Sequence, residues 1–271
     1  MFSKTLISKY VKNNGLAGSA LTIAMMTTGN LAHSIAVIDD ASKALTPIYR
    51  ADEAIVIDAK ALESAWQKAS WRALDQVLIG ENLSEDDFNG RYKLLWDSEA
   101  LYLLVELQDD VLADSHPDPL VNYWDDDCVE VFIDEDASGG DHQFNYNAFA
   151  YHVGLDRHVS DMGPTATSSE SVIQTYNDHI QSQWSRALDT HTITWELKIS
   201  IFDDSFLPNS DAKPQVLKQH KEMGFMLAYC DADGKGSREH FIGSYPIEGI
   251  NGDKNLGYKT ADVFEKVQLV K

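Results

Sequence analysis

Short apolar runs, each bounded by a cluster of turn-forming residues, dominate the chain after residue 90. These runs predict strands at Arg91–Asp97, Ala100–Gln108, Cys128–Asp134, His142–Leu155, Thr192–Ile201, Gly224–Cys230 and Val263–Val270. The turn residues at 97–99 predict a tight hairpin between the first two strands. Residues 59–78 instead have helical spacing, which predicts either a helix or one helical turn followed by irregular chain. Many short strands with little helix predict an all-β antiparallel β-sandwich with short helical segments, of the immunoglobulin or jelly-roll type.

Alternation within the run at 128–134 divides its side chains between two faces of the predicted sheet. Val129, Val131 and Ile133 face one way, whereas Cys128, Glu130 and Phe132 face the other. A glutamate in the middle of an apolar strand lies either on a solvated face or in a polar site. Alternation alone favours the solvated face.

The first 36 residues have the order of an export signal. Three lysines (Lys4, Lys9 and Lys12) precede an uncharged stretch at 15–26, and small residues follow near positions 32–36. The apolar run is too short to span a bilayer. The sequence therefore predicts a signal peptide at 1–36, a connector at 37–50 and one domain at 51–271. We expect the mature protein to be exported to the periplasm or the extracellular space, with no membrane attachment after cleavage.

The charge balance is strongly acidic. The chain has 22 lysines and arginines against 43 aspartates and glutamates, which gives a formal net charge of −21. Nucleic-acid binding needs basic side chains that neutralise phosphates, and an anionic membrane surface repels such a chain. Composition thus argues against both partners and favours a neutral ligand or a cation.

The two cysteines, Cys128 and Cys230, are far apart in sequence. The chain has no CxxC, which argues against a thiolate zinc site and a disulfide scaffold. In an oxidising compartment the two could form one disulfide, and two buried free thiols is the equally weighted alternative.

Several motifs resemble the family 9 carbohydrate-binding modules. The most specific are LLWDSEALYLLVELQDD at 94–110 and WDDDCVEVFID at 124–134; QFNYN at 143–147 and NLGYKTADVF at 255–264 are weaker. The resemblance covers roughly residues 51–271. It implies a β-sandwich that binds sugars between two aromatic side chains, often at the reducing end, and that carries structural calcium.

The resemblance also implies a set of ligand-binding residues. Trp124, six residues before Glu130, matches the first stacking tryptophan and the sugar-binding glutamate of the family. Asn255 and Tyr258 match a ligand-binding asparagine and the second aromatic, with tyrosine in place of tryptophan. Asn145 stands where the family has an arginine. Aromatic faces pack on sugar C–H patches, while carboxylates and amides bind sugar hydroxyls, so these five residues are chemically sufficient.

Acidic residues cluster at the predicted strand ends. Asp109, Asp110 and Asp126 are the candidate ligands for a structural calcium ion, because hard oxygen ligands suit that cation. Solvated acidic loops are the alternative. No other cofactor is expected.

The sequence thus predicts an exported protein that binds a mono- or oligosaccharide and lacks catalytic residues. The chain has no G-x-S-x-G, HExxH, P-loop or G-x-G-x-x-G motif. The alternative is a protein that hydrolyses O-glycosyl bonds, or one that accompanies such a hydrolase. With 43 acidic residues a carboxylate pair can always be proposed, so composition does not decide this point. A haem module would need a Met/His pair, for which Met226 is a candidate.

Overall fold

Fourteen strands and two short 3-10 helices form the regular structure in a computed structural model that describes residues 45–81, 83–84 and 87–271. The predicted signal peptide and most of the predicted connector lie outside these residues. The helices are Ser64–Lys68 and Ala261–Val263. The strands are β1 Thr46–Arg50, β2 Arg72–Leu74, β3 Gln76–Ile79, β4 Phe88–Trp96, β5 Leu101–Asp109, β6 Cys128–Asp134, β7 Phe149–Gly154, β8 Val159–Thr165, β9 Ser168–Thr175, β10 Ile180–Arg186, β11 Thr192–Ile199, β12 Glu222–Asp231, β13 His240–Gly243 and β14 Glu265–Val270.

The strands hydrogen-bond in the order β10-β11-β5-β4-β1-β14-β12-β6-β7-β8-β9, with β13 added to β12, β2 to β4, and β3 to β13. Every pairing is antiparallel except those of β1, which runs parallel to both β4 and β14. The β4–β5 hairpin turns between Trp96 and Leu101, as the turn residues predict. Strand β1 lies within the segment expected to be a connector, so the sheet begins before residue 51. The described residues form one compact unit.

Two halves of this sheet pack face to face and make the predicted sandwich. The half containing β4 and β5 contacts the half containing β6 and β12 through rings that are distant along the strand order. Phe88 stacks on Tyr229 with ring centroids 5.2 Å apart, and Tyr92 lies 6.1 Å from Phe225. Removing this apolar surface from water is the main source of stability, at about 25 cal/mol per Å².

The outer face of the second half is also apolar, and loops cover it. Strands β6, β7 and β12 direct Phe132, Ala150 and Met226 outward, where Leu256 and Phe264 pack on them. All seven residues of β6 are consequently buried, and Glu130 is only 2% exposed. The solvated interpretation of Glu130 is wrong, because the sheet is covered on both faces here.

The helix predicted over residues 59–78 is absent. One turn of 3-10 helix, Ser64–Lys68, is followed by the short strands β2 and β3. Ala59 and Ala61 have left-handed φ values of 60° and 51°, and the Glu196 carboxylate accepts hydrogen bonds from the amides of Asp58 and Ala59. These contacts hold the chain out of helical geometry, so the shorter of the two sequence interpretations is nearer to the structure.

Across the described ranges, no helix is long and apolar enough to cross a membrane.

Candidate functional site

A cavity of about 260 Å³ opens on the covered outer face of the second half-sheet. Strands supply its floor and three loops supply its walls. The lining residues are Tyr123, Trp124, Glu130, His152, Asp161, Met162, Arg238, Asn255 and Tyr258. Four of the five residues predicted to bind sugar therefore lie around one cavity, although they are as much as 134 positions apart in sequence (258 − 124).

Trp124 belongs to the long loop between β5 and β6. Its ring is half-buried and meets Tyr123 edge-on, with centroids 5.0 Å apart. Tyr123 in turn meets the ring of His152 edge-on at 4.6 Å. Tyr123 thus contacts both Trp124 in the wall and His152 in the floor of the cavity. Because the Trp124 ring is only half-buried, part of its surface is accessible to a ligand.

Glu130 and His152 form the polar floor. They face each other across β6 and β7, and Oε2 of Glu130 lies 3.1 Å from Nε2 of His152. The contact has ion-pair distance but not hydrogen-bond geometry, so Oε2 has no hydrogen-bond donor among the described residues. Burial raises the pKa of Glu130, and the histidine opposes that shift. Burial by itself would lower the pKa of His152, but the Glu130 carboxylate and Cys230 together outweigh it and raise this pKa to about 10.

Tyr258 and Asn255 lie in the loop between β13 and β14, which reaches the cavity because Gly257 fits against the sheet. A Cβ at Gly257 would approach Phe132 to 2.6 Å. The carbonyl oxygen of Gly257 lies 2.8 Å from Nε2 of His142, a buried contact that also holds the loop down. The half-buried Tyr258 ring is therefore positioned by its backbone, next to the Lys259 ammonium 4.8 Å from its centroid.

Asn145 is the predicted ligand residue that the structure places elsewhere. It is exposed in the loop at 141–147 and borders a different depression, near Gly140 and Asp204. Its amide donates to the carbonyl of Asp141, and its Oδ1 accepts from the Asn147 amide. These local hydrogen bonds fold the loop on itself, away from the cavity.

Arg238 brings a guanidinium to the cavity from a part of the chain other than Asn145, where the resemblance places an arginine. It enters from the loop between β12 and β13, and its side chain lies 4.5 Å from the centroid of Phe241. Asp161, on β8, is the second carboxylate at the cavity. It accepts hydrogen bonds from the amides of Ala150 and Met162 at 2.8 and 2.6 Å, and burial raises its pKa to about 7.

Tyr123, His152 and Arg238 are residues that the sequence analysis did not propose. The signal for His152 is register, since it lies directly opposite Glu130 once β6 and β7 are paired. Sequence spacing carries no comparable signal for Arg238, whose position depends on the fold of a glycine-rich turn.

Buried carboxylates also lie close together where β5 and β12 end, at Asp109 and Asp231. Asp109, Asp127 and Asp231 are buried, with one oxygen of each within 4.8 Å of the others. Burial and the neighbouring carboxylates raise the pKa of Asp127 to about 9, and burial is the main cause that raises the pKa of Asp231 to about 7. Tyr229 donates to Oδ2 of Asp109 at 2.7 Å, while Oδ1 is buried without a partner among the described residues. This is an arrangement that a cation would relieve.

The three aspartates predicted as calcium ligands are divided. Asp109 belongs to the buried trio, and Asp110 belongs to a neighbouring group with Asp87 and Asp233. Asp126 joins neither group. Its carboxylate instead accepts hydrogen bonds from the amides of residues 115 and 116, at 2.7 and 2.9 Å. The next residue, Asp127, is the one that converges with Asp109.

Cys128 and Cys230 are direct cross-strand neighbours on β6 and β12. Both are buried free thiols in this structure. The sequence left a disulfide and two buried thiols open with equal weight, and the structure has the thiols.

Comparison with known proteins gives a consistent result. The sequence model described as "Carbohydrate family 9 binding domain-like" matches residues 57–271. A family 9 carbohydrate-binding module from Caldicellulosiruptor kristjanssonii in complex with glucose has a similar structure, with TM-score 0.58 and 19% identity over 83% of this chain and 95% of that one. The same kind of module with cellotriose gives TM-score 0.59 and 18% identity, over 83% and 94% of the two chains. A putative carbohydrate-binding protein from Bacteroides uniformis gives TM-score 0.53 and 13% identity, over 82% and 97%. No curated protein matches the sequence.

Proposed function

Because the chain belongs to the family 9 carbohydrate-binding domains, we propose that it is an exported, non-catalytic protein that holds a mono- or oligosaccharide in the cavity between Trp124 and Tyr258. The observation that carries this proposal is the convergence of two aromatic rings, a buried carboxylate and an amide on one cavity. The structural relatives that hold glucose and cellotriose support the choice of ligand class.

Each lining group has a task in sugar binding. The Trp124 and Tyr258 rings offer apolar faces to the C–H patches of a pyranose. Glu130 lines the cavity, and its carboxylate accepts hydrogen bonds from sugar hydroxyls, while Asn255 and Arg238 donate to hydroxyl oxygens. A charged acceptor makes a stronger hydrogen bond than a neutral one, which makes Glu130 the main polar contact.

The contacts of the cavity carboxylates support binding over hydrolysis. A glycosidase needs one carboxylic acid and one carboxylate free to act on either side of the scissile bond. Here Asp161 is committed to two backbone amides, and Glu130 is paired with His152. Neither carboxylate is held in the way that a proton donor or a nucleophile requires.

The acidic trio fits the calcium ion that the family implies. Asp109, Asp127 and Asp231 provide hard oxygen ligands, and the buried unpartnered Oδ1 of Asp109 is the atom that a cation would satisfy. These three residues would hold the ion, which would contribute to stability at the strand ends and not to the chemistry of sugar recognition.

Calorimetric titration of the protein with glucose and cellotriose tests the proposal. We expect saturable binding that Trp124→Ala abolishes or weakens and that Trp71→Ala leaves unchanged, since Trp71 is a half-buried tryptophan packed against another part of the fold. The absence of binding to these sugars and to an array of glycans would contradict it. Export is tested separately by N-terminal sequencing of the protein from periplasm or medium, which we expect to begin near residue 35 or 37.

A further inference from the structure

A second constellation of ligand-type side chains lies at the floor of the cavity. Cys128, His152 and Cys230 come from three adjacent strands (β6, β7 and β12), and they share the outer face of the half-sheet with Glu130. Both sulfurs and one imidazole nitrogen lie within 4.8 Å of one another, and all three residues are buried. Two cysteines and one histidine form a ligand set that is used for zinc in proteins.

The histidine is oriented for coordination. Nδ1 of His152 lies 3.2 Å from the carbonyl oxygen of Ala150, so a proton on Nδ1 has an acceptor. Nε2 then points toward the pair of thiols and toward Glu130. Metal-binding histidines in proteins commonly donate their other ring nitrogen to a backbone carbonyl in this way, because that contact fixes both the tautomer and the ring angle. Tyr123, edge-on to the ring, holds it from the other side.

The surroundings of the thiols favour thiolates. The Arg238 guanidinium donates from Nη1 to Sγ of Cys230 at 3.4 Å. A guanidinium at this distance favours the negatively charged form of the sulfur. A thiolate is the form of cysteine that binds metal.

We propose that Cys128, Cys230 and His152 bind one zinc ion, with Glu130 next to the fourth coordination position. Two thiolates neutralise the charge of Zn²⁺, and Arg238 balances Glu130, so the occupied site carries no net charge in the buried environment. Zinc binds the deprotonated ligands, so any proton held on the two sulfurs or on Nε2 of His152 is released to solvent. With Zn–S and Zn–N bonds of about 2.3 and 2.0 Å, tetrahedral ligand atoms lie about 3.5–3.8 Å apart. The three ligand atoms lie within 4.8 Å of one another, so the ion would draw any two of them together by at most about 1.3 Å.

The absence of a CxxC motif, which argues against zinc in the sequence, does not apply to this site. Its ligands are assembled by strand register, since Cys230 lies opposite Cys128, and Glu130, two positions along, lies opposite His152. Soft sulfur ligands also separate it from the carboxylate trio of Asp109, Asp127 and Asp231, which suits calcium. The zinc proposal does not depend on sugar binding, although the zinc ion and the sugar would both lie next to Glu130.

The test is a cobalt titration of the full chain, purified with reductant and stripped of metal. Tetrahedral cobalt with thiolate ligands has intense visible bands and a sulfur-to-cobalt charge-transfer band. We expect one equivalent to produce both, and one equivalent of zinc to remove them. Cys128→Ser, Cys230→Ser and His152→Gln should each weaken binding at least 10-fold, and the serine variants should lose the charge-transfer intensity. The matched control is His158→Gln, which changes an exposed histidine in the loop between β7 and β8. It should leave the titration unchanged.

Arg238→Gln should keep the bands and weaken binding by about 10- to 100-fold, the range found for groups that support metal ligands without touching the metal. The wild-type titration is decisive even if a cysteine variant fails to fold. Reduced protein that binds no cobalt, or binds it without charge-transfer bands, would overturn the proposal. So would metal-stripped protein whose two thiols join in a disulfide and whose reduced form leaves added zinc unbound.

Discussion

Oε2 of Glu130 lies 3.1 Å from Nε2 of His152, directly across two neighbouring strands, and the two residues are only 2% and 6% exposed. A buried charge that loses its partner costs far more than an exposed one. The residue that would bind the sugar is therefore also a structural partner, and its substitution affects stability as well as affinity.

The first prediction is a double-mutant cycle on this pair. Glu130→Gln and His152→Gln should each lower the free energy of unfolding by about 3 kcal/mol, because each leaves the other group buried without its charge partner. The double variant should lose less than the sum, with a coupling of about 1–3 kcal/mol. Urea unfolding in the presence of a chelator measures this. Strictly additive losses would show that the two side chains do not interact.

The second prediction concerns the aromatic wall. Trp124→Ala should cost about 1–3 kcal/mol of affinity for the bound sugar, by analogy with aromatic platforms on which nucleobases stack. The ring is half-buried and supported edge-on by Tyr123, so its removal should change the melting temperature little. Calorimetry with the same sugar on Trp71→Ala provides the control. Equal affinity of wild type and Trp124→Ala would remove this residue from the site.

The third prediction is calcium-linked stability. If Asp109, Asp127 and Asp231 hold the ion, calcium at a hundredfold excess over its dissociation constant should stabilise the fold by about 2.7 kcal/mol. Asp127→Asn should reduce the dependence on calcium, whereas Asp189→Asn, at an exposed loop position, should keep it. Thermal unfolding with calcium and with chelator is the measurement. A melting temperature indifferent to both would rule the ion out.

Much of the fold could be predicted from the sequence because apolar runs report burial directly. The runs that became β5, β6 and β12 are mostly apolar, and each of these strands has a neighbouring strand on both sides. By contrast, β9 (Ser168–Thr175) is mostly exposed and polar, so its sequence carries little strand signal. The helical spacing near residue 62 misled because Leu62 is 81% exposed and packs on nothing that would stabilise a helix.

The candidate site likewise contains residues that the sequence could indicate and residues whose position only the fold decides. The family resemblance implied Trp124, Glu130, Asn255 and Tyr258 as ligand-binding residues, and the structure gathers them at one cavity. Asn145 was proposed from its position in a string, but hydrogen bonds inside its own loop decide where it lies. Contacts between distant segments place Arg238, and such contacts leave no trace in the local sequence.

The last prediction is a loss of stability in mild acid caused by His179. This histidine lies in the turn between β9 and β10, 5% exposed, stacked on Phe202 at 4.0 Å between ring centroids and edge-on to Phe206. Its Nδ1 lies 2.7 Å from the hydroxyl of Tyr151, which donates to the neutral ring, and Tyr176 packs against it at 5.2 Å. Burial lowers the pKa of His179 from 6.5 to about 4.

A lowered histidine pKa means that the unfolded chain binds the proton more tightly than the folded one. The contribution of His179 to stability is therefore fully present above pH 6.5, and it falls as the pH drops from about 6.5 to about 4. The loss is about 3 kcal/mol, since each pKa unit corresponds to about 1.4 kcal/mol. Urea unfolding between pH 7 and pH 4 should show a smaller decline for His179→Phe than for wild type. The control is His191→Asn, at an exposed position whose left-handed φ of 55° asparagine tolerates, and it should decline as wild type does. Parallel pH curves for wild type and His179→Phe would mean that other groups cause the acid sensitivity.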